Sequence, residues 1–201
     1  MKKKLKLSKF RSILRKYWGF DTFRGIQEDI IMSVEDGKDT LGLMPTGGGK
    51  SITFQVYGLA HEGVCIVVTP LIALMKDQVA NLQKNKIKAV AIYSGMTKRE
   101  IEIALNNVIY GDYKFLYLSP ERLQNYYFQQ RIRDIKVNLI TVDESHCISQ
   151  WGYDFRPAYL EIVKIRQMLP DAPVLALTAT ATPEVVEDIQ NKLEFKGQNV
   201  F

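Results

Sequence analysis

Apolar residues fall in six short blocks along this chain: Thr40–Met44, Val64–Thr69, Ala89–Tyr93, Phe115–Leu118, Leu139–Val142 and Val174–Thr178. Several are apolar without interruption, such as VCIVV and VLALT. A strand apolar on both faces belongs in a parallel sheet covered by helices on both sides. The stretches between them read as helices. Leu71, Leu74, Met75, Val79 and Leu82 recur at helical spacing. Thr97 and Glu100 form a capping box ahead of Ile101 and Leu105. Thr182 followed by Pro183 is an N-cap with proline in the first helical position. This alternation predicts one open, doubly wound α/β domain over residues 1–201. No internal repeat is visible.

Composition narrows the class. The chain has 201 residues, 46% of them hydrophobic and 24% charged, enough for one good core and too apolar for intrinsic disorder. No apolar run approaches the roughly 20 residues of a membrane span, so no membrane partner is expected. The basic run Lys2, Lys3, Lys4 and Lys6 lacks the apolar stretch of a secretory signal, and residues 1–7 are expected to form a disordered basic end. Two cysteines, Cys65 and Cys147, are too few for a disulfide framework, which suggests a reducing, cytoplasmic setting. His61 and His146 add no zinc spacing to them. The net charge of +5 permits a polyanionic partner.

The strongest local signal is MPTGGGKS, residues 44–51. It follows an apolar block and precedes the helical stretch SITFQVYGLA. Glycines let backbone N–H groups converge on an anion, and the following helix adds its partial positive charge. Pro45, Thr46, Gly47, Gly48, Gly49, Lys50 and Ser51 are therefore candidate phosphate-binding residues. Lys50 would reach the β- and γ-phosphates, and the Ser51 hydroxyl suits Mg²⁺. Met44 departs from the general pattern, which has glycine there. A second signal ends the fifth block: Asp143, Glu144, Ser145, His146. Carboxylates at the end of a parallel strand lie where open α/β sheets bind ligands. Asp143 would hold Mg²⁺, and Glu144 would orient and deprotonate the attacking water. An acidic pair alone is commonly a turn or a helix cap; coupled to the glycine loop, it points to Mg²⁺-dependent hydrolysis of a nucleoside triphosphate.

GGGKS, DESH and TATAT resemble motifs of superfamily 2 helicases, and the finer match is to RecQ-type DNA helicases. GFDTFRGIQ (residues 19–27) is similar to that family's nucleotide-recognition motif. HCISQWGYDFRP (residues 146–157) is similar to its aromatic-rich loop, and VVTPLIALMKDQV and LYLSPERL to its intermediate motifs. The resemblance implies a RecA-like P-loop NTPase domain, an open, mainly parallel sheet with helices on both faces. It implies ATP and Mg²⁺, with Phe20, Arg24 and Gln27 holding the adenine. His146 and the segment Thr178-Ala179-Thr180 would relay nucleotide state toward DNA. Trp151, Phe155 and Arg156 would contact single-stranded DNA or couple it to hydrolysis; aromatic faces stack on any base and arginine pairs with phosphate. Without the resemblance, Trp151 and Phe155 read as core packing. Tyr153 stands where the family usually has histidine, Ser145 where alanine is common, and Ala158 where an acidic residue is common.

What the resemblance implies for the longer protein is 3′-to-5′ translocation and duplex unwinding in DNA repair and recombination. That activity needs a second RecA-like domain supplying an arginine. Nothing after Thr182 is expected to be that domain, nor are zinc-binding or winged-helix regions expected. Two further readings stay open: a module that binds nucleotide and DNA without turnover, and an RNA helicase domain of the DEAD-box kind. If basic groups contact phosphates, affinity for single-stranded DNA should fall steeply with rising salt. A flat response in a salt titration would count against backbone contacts.

Overall fold

A computed structural model describes residues 2–201, with side-chain surroundings from Lys4 onward. Six strands form one sheet in the order β1-β6-β5-β2-β4-β3. They are β1 Thr40–Leu43, β2 Val64–Val68, β3 Ala89–Ile92, β4 Phe115–Leu118, β5 Val137–Val142 and β6 Val174–Thr178. Every pairing is parallel. The six apolar blocks thus match the strands to within a residue or two.

The uninterrupted apolar runs have a simple cause. Alternate residues of a strand point to opposite faces. In β2, Val64, Ile66 and Val68 join one core while Cys65 and Val67 join the other. The first core packs helices α5 Lys98–Tyr110, α6 Tyr126–Ile132, α7 Ile162–Met168 and α8 Pro183–Lys192 onto one face. The second packs α1 Lys2–Trp18, α2 Gln27–Glu35, α3 Lys50–Ala60 and α4 Ile72–Lys84 onto the other. Both caps read from the sequence form. The Thr97 side chain accepts from the Glu100 N–H, completing the capping box, and Thr182 accepts from the Val185 N–H.

Two expectations change, and one contact has no counterpart in the sequence reading. The basic end is helical from Lys2 rather than irregular, and Lys6 pairs with Glu35 at 3.2 Å; Met1 lies outside the described residues. The signal was present, because Phe10, Ile13, Leu14 and Tyr17 share one helical face and pack into the second core. In α4, only Met75 and Leu82 of the apolar stripe are buried, while Leu71, just before the helix, and Leu74 are exposed. Finally, Asn199 and Phe201 extend along the free edge of β1. The Leu41 N–H donates to the Asn199 carbonyl at 2.8 Å, and the Leu43 N–H to that of Phe201 at 2.8 Å.

A buried ion pair ties this edge together. Arg166 on α7 donates to both Asp39 carboxylate oxygens, at 3.2 and 2.6 Å, and both residues are buried. Asp39 also accepts the backbone N–H groups of Val174 and Lys196. One carboxylate thus pins β1, β6, α7 and the segment after α8. Among the described residues, no helix is long and apolar enough to cross a membrane. Arg166→Ala would leave a buried carboxylate without its counter-charge, a loss of about 3–5 kcal/mol. Urea unfolding checks this, and a loss typical of a surface site would refute it.

Candidate active site

Parallel strands bring all their C-terminal ends to one edge, where open α/β sheets bind ligands. Here that edge carries the loop after β1, Thr69 after β2, Asp143 and Glu144 after β5, and Thr178 at the end of β6. These four strands are neighbours in the sheet. The sequence-separated motifs are therefore brought together.

The glycine loop Pro45–Gly49 leads from β1 into α3. Gly47 and Gly49 have φ of +77° and +76°, a region that L side chains rarely adopt. A Cβ on Gly49 would also lie 2.4 Å from Gln27 Nε2. Close approach explains the glycine, since Gln27 Nε2 donates to the carbonyls of both Gly48 and Gly49 at 3.2 Å. Its Oε1 accepts the Arg24 N–H at 2.9 Å. Gln27 thus clamps the glycine loop to the Phe20–Gln27 segment. Beside the clamp lies a cleft of about 450 Å³ lined by Phe20, Arg24, Gln27, Pro45, Gly47 and Ile52 among others. Phe20 is 43% exposed, with the Arg24 guanidinium 5.0 Å from its ring centre. Met44, the departure from the glycine pattern, is buried in the second core. Its N–H donates to the Thr178 carbonyl at 3.0 Å.

Lys50 opens α3, and its Nζ lies 2.9 Å from Glu144 Oε1, across 94 residues of sequence. Glu144 has φ +48° and ψ +47°, a left-handed conformation costing a non-glycine residue about 1–3 kcal/mol. The Lys50 pair, and the Cys147 N–H donating to the Glu144 carbonyl at 2.9 Å, hold it there. Asp143 accepts from the Thr69 hydroxyl at 3.3 Å and from the Glu144 N–H at 3.1 Å. The buried Tyr159 hydroxyl donates to its backbone carbonyl at 2.9 Å. Burial pushes the Asp143 carboxyl above its ordinary range; Lys50 opposes this and Glu144 adds to it.

Sequence reasoning missed a polar group behind the glycine loop. The Gln78 amide on α4 donates to Ser51 Oγ at 2.8 Å, and Tyr117 donates to its Oε1 at 3.2 Å. Gln55 Nε2 donates to Gln78 Oε1 and to the Tyr117 oxygen. Gln78, one helical turn beyond Leu74 on the apolar stripe of that motif, carried no local signal of this contact.

His146 Nδ1 lies 2.8 Å from Thr178 Oγ1 and 3.4 Å from Glu144 Oε2. Thr178 donates its own hydroxyl proton to the Thr180 carbonyl at 3.1 Å, so Nδ1 carries the proton and Thr178 accepts it. Burial lowers the His146 pKa, against the pull of Glu144 and Asp154. Thr178 thus joins β6 to His146 through its side chain and to the glycine loop through its carbonyl.

The aromatic loop packs beside this group. Trp151 is 77% exposed, which rules out core packing for it, and Phe155 is half-buried. Tyr153 stacks on the His146 ring, centroids 4.5 Å apart and planes 21° from parallel. Arg156 donates twice to Asp154 Oδ2, at 3.1 and 3.0 Å, and holds that carboxyl below its usual range. A Cβ on Gly152 would lie 2.6 Å from the His146 carbonyl, so the loop folds tightly over the turn that carries His146.

The DEAD/DEAH box helicase model matches residues 24–189, and the chain belongs to that family. Within it, the RecQ-type resemblance holds. The chain is 46% identical over 195 residues to the ATP-dependent DNA helicase RecQ of Bacillus subtilis, covering 96% of this chain and 33% of that protein. It is 42% identical over 191 residues to the probable ATP-dependent DNA helicase RecS of the same organism, covering 94% of this chain and 38% of RecS. The chain thus spans about a third of the length of these relatives. The fold is shared with the Mycobacterium smegmatis helicase Lhr bound to single-stranded DNA and AMP-PNP: TM-score 0.72, 19% identity, 97% of this chain and 28% of that one.

The raised Asp143 pKa has a stability consequence. The folded chain holds that proton more tightly than the unfolded chain, so its contribution is present at acid pH and lost as pH rises past the raised value. At neutral pH the ionised group is a cost. Asp143→Asn is expected to raise Tm at pH 7, with the gain shrinking toward acid pH. Thermal unfolding across pH checks this; an unchanged or lower Tm at pH 7 would refute it.

Proposed function

We propose that this chain is the ATP-hydrolysing first motor domain of a RecQ-type DNA helicase, acting within a longer protein. It would couple Mg-ATP hydrolysis to 3′-to-5′ movement on single-stranded DNA and to duplex unwinding in repair and recombination. The observation that carries this reading is the meeting of Lys50 with Glu144, and of His146 with Thr178 and Tyr153, at one sheet edge. These contacts support the reading because they join Lys50, Glu144, His146 and Thr178 to Tyr153 of the aromatic loop.

The residues divide the work. Thr46, Gly47 and Gly49 present backbone N–H groups to the phosphates, and Lys50 neutralises their charge. Phe20, Arg24 and Gln27 border the cleft into which an adenine fits. Glu144 takes a proton from the attacking water once Lys50 turns to phosphate. Ser51 and Asp143 would hold Mg²⁺: a hydroxyl and a carboxylate are the oxygen donors it prefers, and each retains an oxygen lone pair beyond its present hydrogen bonds. The ion would neutralise charge on the phosphates. His146, through Thr178 and the stacked Tyr153, would pass the state of this site to Trp151, Phe155 and Arg156 on the DNA side. The arginine that completes hydrolysis would come from a second RecA-like domain.

The chain spans about a third of the length of its relatives, so the alternative for the isolated chain is a module that binds nucleotide and DNA without turnover. Steady-state hydrolysis with Mg²⁺, with and without single-stranded DNA, separates the two readings. In the longer protein, Glu144→Gln is expected to lower kcat by about 10²–10⁴-fold while nucleotide still binds. Unchanged turnover would overturn the assignment. DNA-stimulated turnover by the monomeric chain, lost in Glu144→Gln, would reject the module.

A further inference from the structure

Cys147 has no part in the proposed reaction, yet it stands between two other donors. Its Sγ lies 3.7 Å from His146 Nε2 and 3.8 Å from Asp154 Oδ2, and the three donor atoms all lie within 4.8 Å of one another. Zinc bonds of about 2.3 Å to sulfur and about 2.0–2.2 Å to nitrogen and oxygen, set at tetrahedral angles, give donor-to-donor edges of about 3.5 Å. The two sulfur edges already come close to that.

Three further features fit a metal. The Nδ1 proton of His146 is fixed by Thr178 and Glu144, which leaves the Nε2 lone pair facing the sulfur; a partner on the far nitrogen is how ligating histidines are oriented. Neutral histidine, thiolate and carboxylate together balance a divalent charge. The group also lines a cleft of about 310 Å³ shared with Glu144, Arg156 and Thr180, which gives an ion a route in and leaves room for water as a fourth ligand.

We propose that His146, Cys147 and Asp154 bind a thiophilic divalent cation, with zinc fitting the donor set best. On binding, the Cys147 S–H bond breaks, a sulfur–metal bond forms, and the proton leaves to solvent. Burial pushes that thiol up to about 12, so affinity should rise with pH as the metal competes with the proton. Arg156 holds Asp154 and would have to share it with the ion. A bound ion would tie the aromatic loop to the turn carrying His146, fixing the two parts that the proposed relay joins.

The test uses the whole chain, freed of metal and titrated with Co²⁺, then with Zn²⁺. We expect one equivalent of Co²⁺ per monomer with a thiolate charge-transfer absorption, displaced by Zn²⁺. Cys147→Ser should abolish the band and Cys65→Ser should keep it. Because Cys147 is buried, Asp154→Ala provides a variant on a half-exposed side chain. It should weaken binding by no less than the about 10–100-fold that loss of an outer-shell partner causes. Absence of the band in the folded chain, its survival in Cys147→Ser, or unchanged affinity in Asp154→Ala would each overturn the proposal. Binding does not depend on hydrolysis, so failure here is distinct from failure of the helicase reading.

Discussion

The structure depends on burying the sheet from both sides. Strands such as VCIVV expose apolar groups above and below, so neither face can be left to water. Parallel strands need crossover connections, and the helices that make those crossovers cover both faces. The same constraint collects the C-terminal ends of all six strands along one edge. Because β1, β6, β5 and β2 are neighbours in that order, the glycine loop, Thr178, the acidic pair and Thr69 form a single site.

Two contacts turn that shared edge into a connected group. Gln27 closes the glycine loop against the segment that borders the cleft of about 450 Å³. Thr178 uses its carbonyl for Met44 and its side chain for His146. A shift of β6 by a fraction of an ångström would therefore be felt by the glycine loop and by the histidine together, as packed interiors transmit displacement rather than absorb it. The left-handed backbone at Glu144 adds stored strain at the point where the charge of Lys50 is now spent.

Tyr153, at the position where the resemblance implies histidine, gains a meaning in this setting. A tyrosine ring stacks on His146 through its face, a contact that needs an aromatic plane and no titratable nitrogen. The aromatic loop stays mechanically joined to the acidic motif despite the change of residue. Trp151 remains free on the surface, while Arg156 is occupied by Asp154.

The sequence by itself determined the six strands, both helix caps and the positions of the glycine loop and the acidic pair at strand ends. Those signals are local: a run of apolar residues, a capping pair, or a glycine loop between strand and helix is written in consecutive positions. It did not disclose that Lys50 meets Glu144, that Gln78 backs Ser51, that Arg166 pairs with Asp39, or that Cys147 lies between His146 and Asp154. The first and third of these contacts span 94 and 127 residues, and strand order alone decides which distant ends become neighbours. Helix α1 was legible in its apolar spacing but hidden by its lysines. The exposed half of the α4 stripe could be judged only from the finished fold. Burial and contact are properties of the packed chain, and tertiary structure assigns them after local pattern has chosen the elements.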